Sequence, residues 1–233
     1  SNKAREMRSQ GLDVISLTLG EPDFDVPEPI KTSAIEAIHQ NFSHYSPVSG
    51  FLELREAICE KLERDNGLRY QPNQICVSNG AKQAILNVLA AIINDGDEVI
   101  LPVPYWVSYD EMVKMMGGTS VFVKTSFYND FKMTAEQLEE AITPRTKALL
   151  YSSPCNPSGS YYTYNELKSL AEVIAKHPQI TVISDEIYEF INYETTTKSI
   201  AAFPEIYEQV AVINGMSKGF AMTGWRIGYS ACP

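Results

Sequence analysis

Gln74-Ile75-Cys76-Val77-Ser78-Asn79-Gly80-Ala81-Lys82-Gln83 holds a strand, a glycine turn and the start of a helix in one short run. Residues 74–78 read as a strand that ends at turn formers. Residues 81–94 follow as a helix. The same alternation extends outward from this point. Strands are expected at 98–101, 119–123, 148–152, 180–184 and 210–213, and helices at 106–116, 134–142 and 163–175. Thr134 with Gln137, and Thr163 with Glu166, have the spacing of capping boxes opening the last two helices. Upstream, residues 30–40 carry Ile30, Ala34, Ile35 and Ile38 on one helical stripe. Residues 52–66 repeat Leu54, Ile58 and Leu62 before Gly67 stops them. Residues 1–29 read as irregular around the turn-rich Gly20-Glu21-Pro22-Asp23-Phe24. Alternation of this kind predicts an α/β fold: a mostly parallel sheet covered by helices on both faces, an α/β/α sandwich.

The 233 residues suffice for one substantial core. With 19 basic and 29 acidic residues the formal charge is −10, which argues against nucleic acid or an anionic membrane as partner. A small anionic ligand is compatible with it, because local donors outweigh a distant background. Cys59, Cys76, Cys155 and Cys232 lack metal-ligand spacing and read as thiols of a reducing cytoplasm. No apolar run spans a bilayer and no signal peptide is visible, so a cytoplasmic location is expected and no metal site. Ser1-Asn2 without an initiator Met reads as a tag scar or the end of a cleaved chain.

In open sheets of this type, ligands sit beyond the carboxyl ends of the strands. Four chemically suggestive stretches fall there. Gly80 and Ala81 join a strand to a helix whose N–H groups suit a phosphate, although a glycine there is often only a turn. Asn156, in Asn156-Pro157-Ser158-Gly159, has an amide to offer a ligand, or belongs to an ordinary turn. Asp185, in Ser184-Asp185-Glu186-Ile187-Tyr188, ends a buried strand and needs a partner. A protonated ring nitrogen would serve, and so would a local lysine. Ser217-Lys218 follows the last of these strands, and Arg226 comes eight residues after the lysine. A lysine amine condenses with an aldehyde, and an arginine fork holds a phosphate. Trp106 would lie flat on a planar ring or simply pack at a helix start. Tyr188 would reach a phenolic oxygen. Together these residues point to pyridoxal 5′-phosphate.

The chain resembles the class I pyridoxal-phosphate aminotransferases of fold type I, near the bacterial aspartate aminotransferases. The resemblance rests on residues 19–24, 45–50, 79–83, 104–109, 156–159, 184–189 and 217–228, in that order. It implies that Lys218 carries the cofactor and shuttles the proton, that Asp185 holds the ring nitrogen, and that Tyr188 and Asn156 hold the phenolic oxygen. Trp106 would stack on the ring. Gly80, Ala81 and Arg226 would bind the phosphate, and Ser217 would also contact the cofactor. Tyr45 would reach the phosphate of a neighbouring subunit, hence a homodimer. Gly20 would lie beside the substrate's α-carboxylate, with Trp106 and Asn156 also near the substrate. Lys82 would recognise an acidic side chain, with aspartate as favoured donor and 2-oxoglutarate as acceptor.

The resemblance also implies that residues 1–29 belong to a small, substrate-covering domain and 30–233 to an incomplete large cofactor domain. The chain is then expected to be a fragment with little or no turnover. Three other readings stand beside this one: a prephenate or aromatic aminotransferase, a β-lyase or related enzyme of the same fold, and a cofactor-binding module of a regulator. The acidic balance and the lack of a helix-turn-helix argue against the last.

Overall fold

The computed structural model describes residues 2–15, 20–193 and 197–233. Seven strands form one sheet: β1 (Ile75–Ser78), β2 (Glu98–Val103), β3 (Thr119–Lys124), β4 (Thr146–Ser152), β5 (Thr181–Asp185), β6 (Val210–Gly215) and β7 (Gly228–Ala231). Their order is β1-β7-β6-β5-β4-β2-β3. β2 pairs parallel with β3 and β4, and β4, β5 and β6 continue in parallel. β7 runs antiparallel between β6 and β1 and so opposes all the others. Among the described residues no helix is long and apolar enough to cross a membrane.

The helices are α1 (Asn2–Ser9), α2 (Glu28–His39), α3 (Leu52–Lys61), α4 (Ala81–Ile92), α5 (Ser108–Met115), α6 (Ala135–Ala141) and α7 (Tyr164–Ile174). The buried core divides between the two sheet faces. Ala84, Ile85 and Leu89 of α4 and Met112 and Val113 of α5 pack with Val99, Leu101, Ala148, Leu150, Ile183 and Ile213. Ile58, Leu138, Leu167 and Leu170 pack with Ile100, Leu149, Val182 and Val212. Successive strand residues therefore serve opposite layers, as the two-residue period of a strand requires. This is the expected sandwich. Both capping boxes form: Thr134 Oγ1 accepts from the Gln137 N–H, and Thr163 Oγ1 from the Glu166 N–H.

Several expectations change. Residues 2–9, read as irregular, form α1, in which Lys3, Ala4, Arg5, Glu6, Met7 and Arg8 are all good helix formers. It buries nothing, so no apolar stripe announced it. The second helix starts at Glu28, earlier than expected, because Pro29 sits in its first turn where no N–H is needed. The expected stripe of that helix is not covered: Ile35 and Ile38 stay exposed. The helix expected from Trp106 begins at Ser108, leaving Trp106 in the preceding turn. The expected helix over 52–66 changes to a π-helical turn at Leu62–Asn66 before Gly67 ends it with φ 69°.

Candidate active site

A cavity of about 430 Å³ opens where the carboxyl ends of β1, β4, β5 and β6 converge. Strand parity decides what enters it. Ile183 faces the α4/α5 layer, so Asp185, two residues on, faces it too. There Tyr109 of α5 donates its hydroxyl to Asp185 Oδ2 at 2.6 Å. The Ile187 N–H donates to Asp185 Oδ1 at 3.2 Å. Burial pushes the Asp185 carboxyl up to about 6, against the pull of these two donors. Glu186 has the opposite parity and turns away, accepting from Ser184 and Ser199 at 2.9 and 2.6 Å.

Lys218 follows β6 and lines the same cavity. Its amine donates to the Gly20 carbonyl. Burial is the main cause lowering its pKa; Glu21 opposes that and Arg226 assists it. A less protonated amine is a better nucleophile and base. Tyr188 and Asn156 meet across the cavity, with Asn156 Nδ2 donating to the Tyr188 oxygen at 3.4 Å. Lys82 places its ammonium 5.0 Å from the centre of the Trp106 ring.

The phosphate-type end is built from two glycines and one arginine. α4 opens at Gly80, φ 86°, and among the described residues no side chain caps its first N–H groups. A Cβ at Gly80 would stand 2.3 Å from an Arg226 terminal nitrogen, and one at Gly228 2.2 Å from the Ala81 nitrogen. Only glycines let the arginine fork and β7 approach the helix start this closely. Because β7 enters the sheet from the edge where the other strands leave it, Arg226 arrives beside Lys218. Arg226 is itself held in the left-handed region, φ 58°, donating to the Thr223 and Asn79 carbonyls at 2.8 and 3.3 Å.

Gly20, Ala81, Lys82, Trp106, Asn156, Asp185, Tyr188, Ser217, Lys218 and Arg226 thus share one hollow, with Gly80 directly behind. Tyr45 does not join them; it is fully exposed. Of the quoted Leu19-Gly20 run, Leu19 lies outside the described residues. Sequence reasoning missed Tyr109, Glu21 and Thr223. The last two join across the cavity mouth, Thr223 donating to Glu21 at 2.7 Å. The signal for Tyr109 was its place three residues after Trp106, in the first turn of the helix that follows it.

The sequence profile described as "Aminotransferase class I and II" matches residues 12–233. The chain belongs to that family. An aspartate/prephenate aminotransferase of Cereibacter sphaeroides is 50% identical over 236 residues, covering 100% of this chain and 59% of that protein. An aspartate aminotransferase of Bacillus sp. strain YM-2 is 48% identical, covering 98% and 59%. The solved aspartate aminotransferase of Thermus thermophilus with maleate superposes with a TM-score of 0.96 at 46% identity, covering 100% of this chain and 60% of that one. The chain therefore spans about three-fifths of the length of these aminotransferases.

The hollow fits the cofactor this family uses. One end offers uncapped helix N–H groups and a guanidinium, the donor set of a phosphate. The other offers a buried carboxylate whose two donors are a phenol and an amide, with no cation hydrogen-bonded to it among the described residues. The Lys218 amine lines the same hollow.

Proposed function

We propose that the protein is a pyridoxal-phosphate-dependent aminotransferase exchanging an amino group between an acidic amino acid, aspartate favoured, and a 2-oxo acid such as 2-oxoglutarate. The observation that carries this reading is the buried Asp185 carboxylate lining one cavity with the Lys218 amine and the Arg226 guanidinium. In this reading Asp185 pairs with the protonated ring nitrogen, and Asn156 and Tyr188 hold the phenolic oxygen. Trp106 covers one ring face. Gly80, Ala81 and Arg226 hold the phosphate, and Ser217 also contacts the cofactor. When bound, the cofactor supplies a ring that accepts the electron pair released at the substrate's Cα. Lys218 Nζ takes the α-proton, a role its lowered pKa supports. Lys82 recognises the acidic side chain from beside Trp106, and Gly20 borders the α-carboxylate. Tyr45, exposed here, reaches the phosphate of a second copy in a homodimer. Residues 1–29 belong to the substrate-covering domain and 30–233 to the cofactor domain.

The Cereibacter relative is named for prephenate as well as aspartate, and a solved Pyrococcus horikoshii relative, 43% identical with TM-score 0.92, is an aromatic aminotransferase. A wider substrate range for this protein is the second reading. Borohydride reduction of the protein with pyridoxal phosphate, followed by peptide mass analysis, tests the first. The label is expected on Lys218; a label on another lysine overturns it. Keto-acid formation that needs no added 2-oxo acid would instead indicate a lyase.

A further inference from the structure

Tyr109 is buried, lines the cavity and has no part in the roles assigned above. Its hydroxyl and the Ile187 amide each serve a different oxygen of Asp185, so the carboxyl plane is held at two points. The phenol is held in turn. Ser152, at the end of β4, hydrogen-bonds its oxygen. The Tyr109 ring stands edge-on to Trp106, centroids 5.6 Å apart and planes at 90°. Its backbone N–H donates to the Trp106 carbonyl at 2.9 Å. One turn of chain therefore carries both the aromatic wall of the cavity and the clamp on its carboxylate.

We propose that Tyr109 is the positioning residue for Asp185, fixing the carboxylate that receives the ring nitrogen and locking its orientation to that of Trp106. The proposal rests on the cofactor reading above. Burial, with Asp185 next, raises the Tyr109 hydroxyl well above its ordinary value, so it remains a donor throughout the working pH range. The titratable groups facing Asp185 are Tyr109 and, more distantly, Tyr188, with Lys218 across the cavity. A phenol that donates to a carboxylate stabilises its charged form, and loss of the donor leaves a buried oxygen unsatisfied.

Tyr109→Phe keeps the ring and its contact with Trp106 and removes one hydroxyl. Carbon-13 NMR of Asp185 in the cofactor-free protein is expected to show its pKa rising by about one unit in the variant. Affinity for pyridoxal phosphate is expected to fall about tenfold. Affinity for an analogue with carbon in place of the ring nitrogen is expected to hold. In the Asp185→Asn background, Tyr109→Phe should have no further effect. An unchanged Asp185 titration overturns the proposal. So does an equal loss of affinity for both ligands, which would make Tyr109 a packing residue only. If the unaltered protein fails to bind pyridoxal phosphate, the functional reading falls, while the Asp185 titration still decides the clamp. Should Tyr109→Phe not fold, Ser152→Ala loosens the same phenol; a smaller upward shift at Asp185 supports the clamp and no shift overturns it.

Discussion

At the amino end of the sheet Glu98 is buried under its own partners. Thr143 donates to it at 2.5 Å, and Arg145 clasps the other oxygen at 2.5 and 2.9 Å. At the carboxyl end Asp185 is as little exposed to solvent and, among the described residues, accepts only from a phenol and an amide. The Thr143 hydrogen bond, with help from Arg145, draws the Glu98 pKa down, whereas burial drives Asp185 up to about 6. A carboxylate whose cation is supplied locally closes a structural joint. One buried without a cation holds an unmet preference for positive charge, which a protonated ring nitrogen would satisfy.

The largest expected effect tests the carboxyl end from across the cavity. In a full-length aminotransferase carrying this chain, Lys218→Ala should lower transamination by on the order of 10⁴, measured by a coupled assay of oxo-acid product. Near-normal turnover would remove the chemistry from this end altogether. Asp185→Asn should weaken pyridoxal phosphate binding on the order of 10²-fold by spectral titration, yet stabilise the cofactor-free chain above neutral pH. The sign follows from linkage. The folded pKa of Asp185, about 6, lies above its ordinary 3.8. Protonation therefore contributes stability fully present below 3.8 and lost as the pH rises through about 6, roughly 3 kcal/mol in all. Urea unfolding between pH 4 and 8 reads this window, and a flat profile for the difference between parent and variant would break the contrast.

Glu98→Gln should act the other way. Its depressed pKa means its contribution is present above its ordinary 4.5 and lost on acidification through the lower folded value. Because the Arg145 side chain is mostly exposed, the expected loss at pH 7 is modest, about 1.5 kcal/mol by urea unfolding, with cofactor affinity unchanged. The smallest effect belongs to Glu186, next to Asp185 but on the other face. Burial lifts it to about 7, with Ser199 and Ser184 opposing, so at neutral pH it is already partly protonated. Glu186→Gln should change stability by less than about 1 kcal/mol and leave cofactor affinity alone. A large loss of affinity would show that the two faces are coupled through the strand end.

Much of the fold was legible because its signals are local. Capping at Thr134 and Thr163 needs only a residue and its neighbour three positions on, and both boxes form. The strands at Ile75–Ser78 and Val210–Gly215 are short runs rich in β-branched residues that end at turn formers. α1 was missed because none of its residues is fully buried, leaving propensity without a clear stripe. At the site, Lys218, Asp185, Asn156 and Arg226 were found since each combines a reactive group with a strand end or a glycine-rich turn. Tyr109 was not, because its meaning lies in a hydrogen bond to a residue 76 positions away.

Residue order alone thus determined most of the strands and helices, though not α1, β7 or the starts of α2 and α5, and which reactive side chains stand at strand ends, because backbone preferences and turn chemistry act over a few residues. Strand order, the reversed direction of β7 and the partner of Asp185 were decided only by the packed sheet. Two-residue alternation sent Asp185 toward α5 and Glu186 away from it, and the entry of β7 from the opposite edge carried Arg226 to the start of α4. Such contacts join distant stretches of chain, and they exist only once apolar burial has chosen which elements lie side by side.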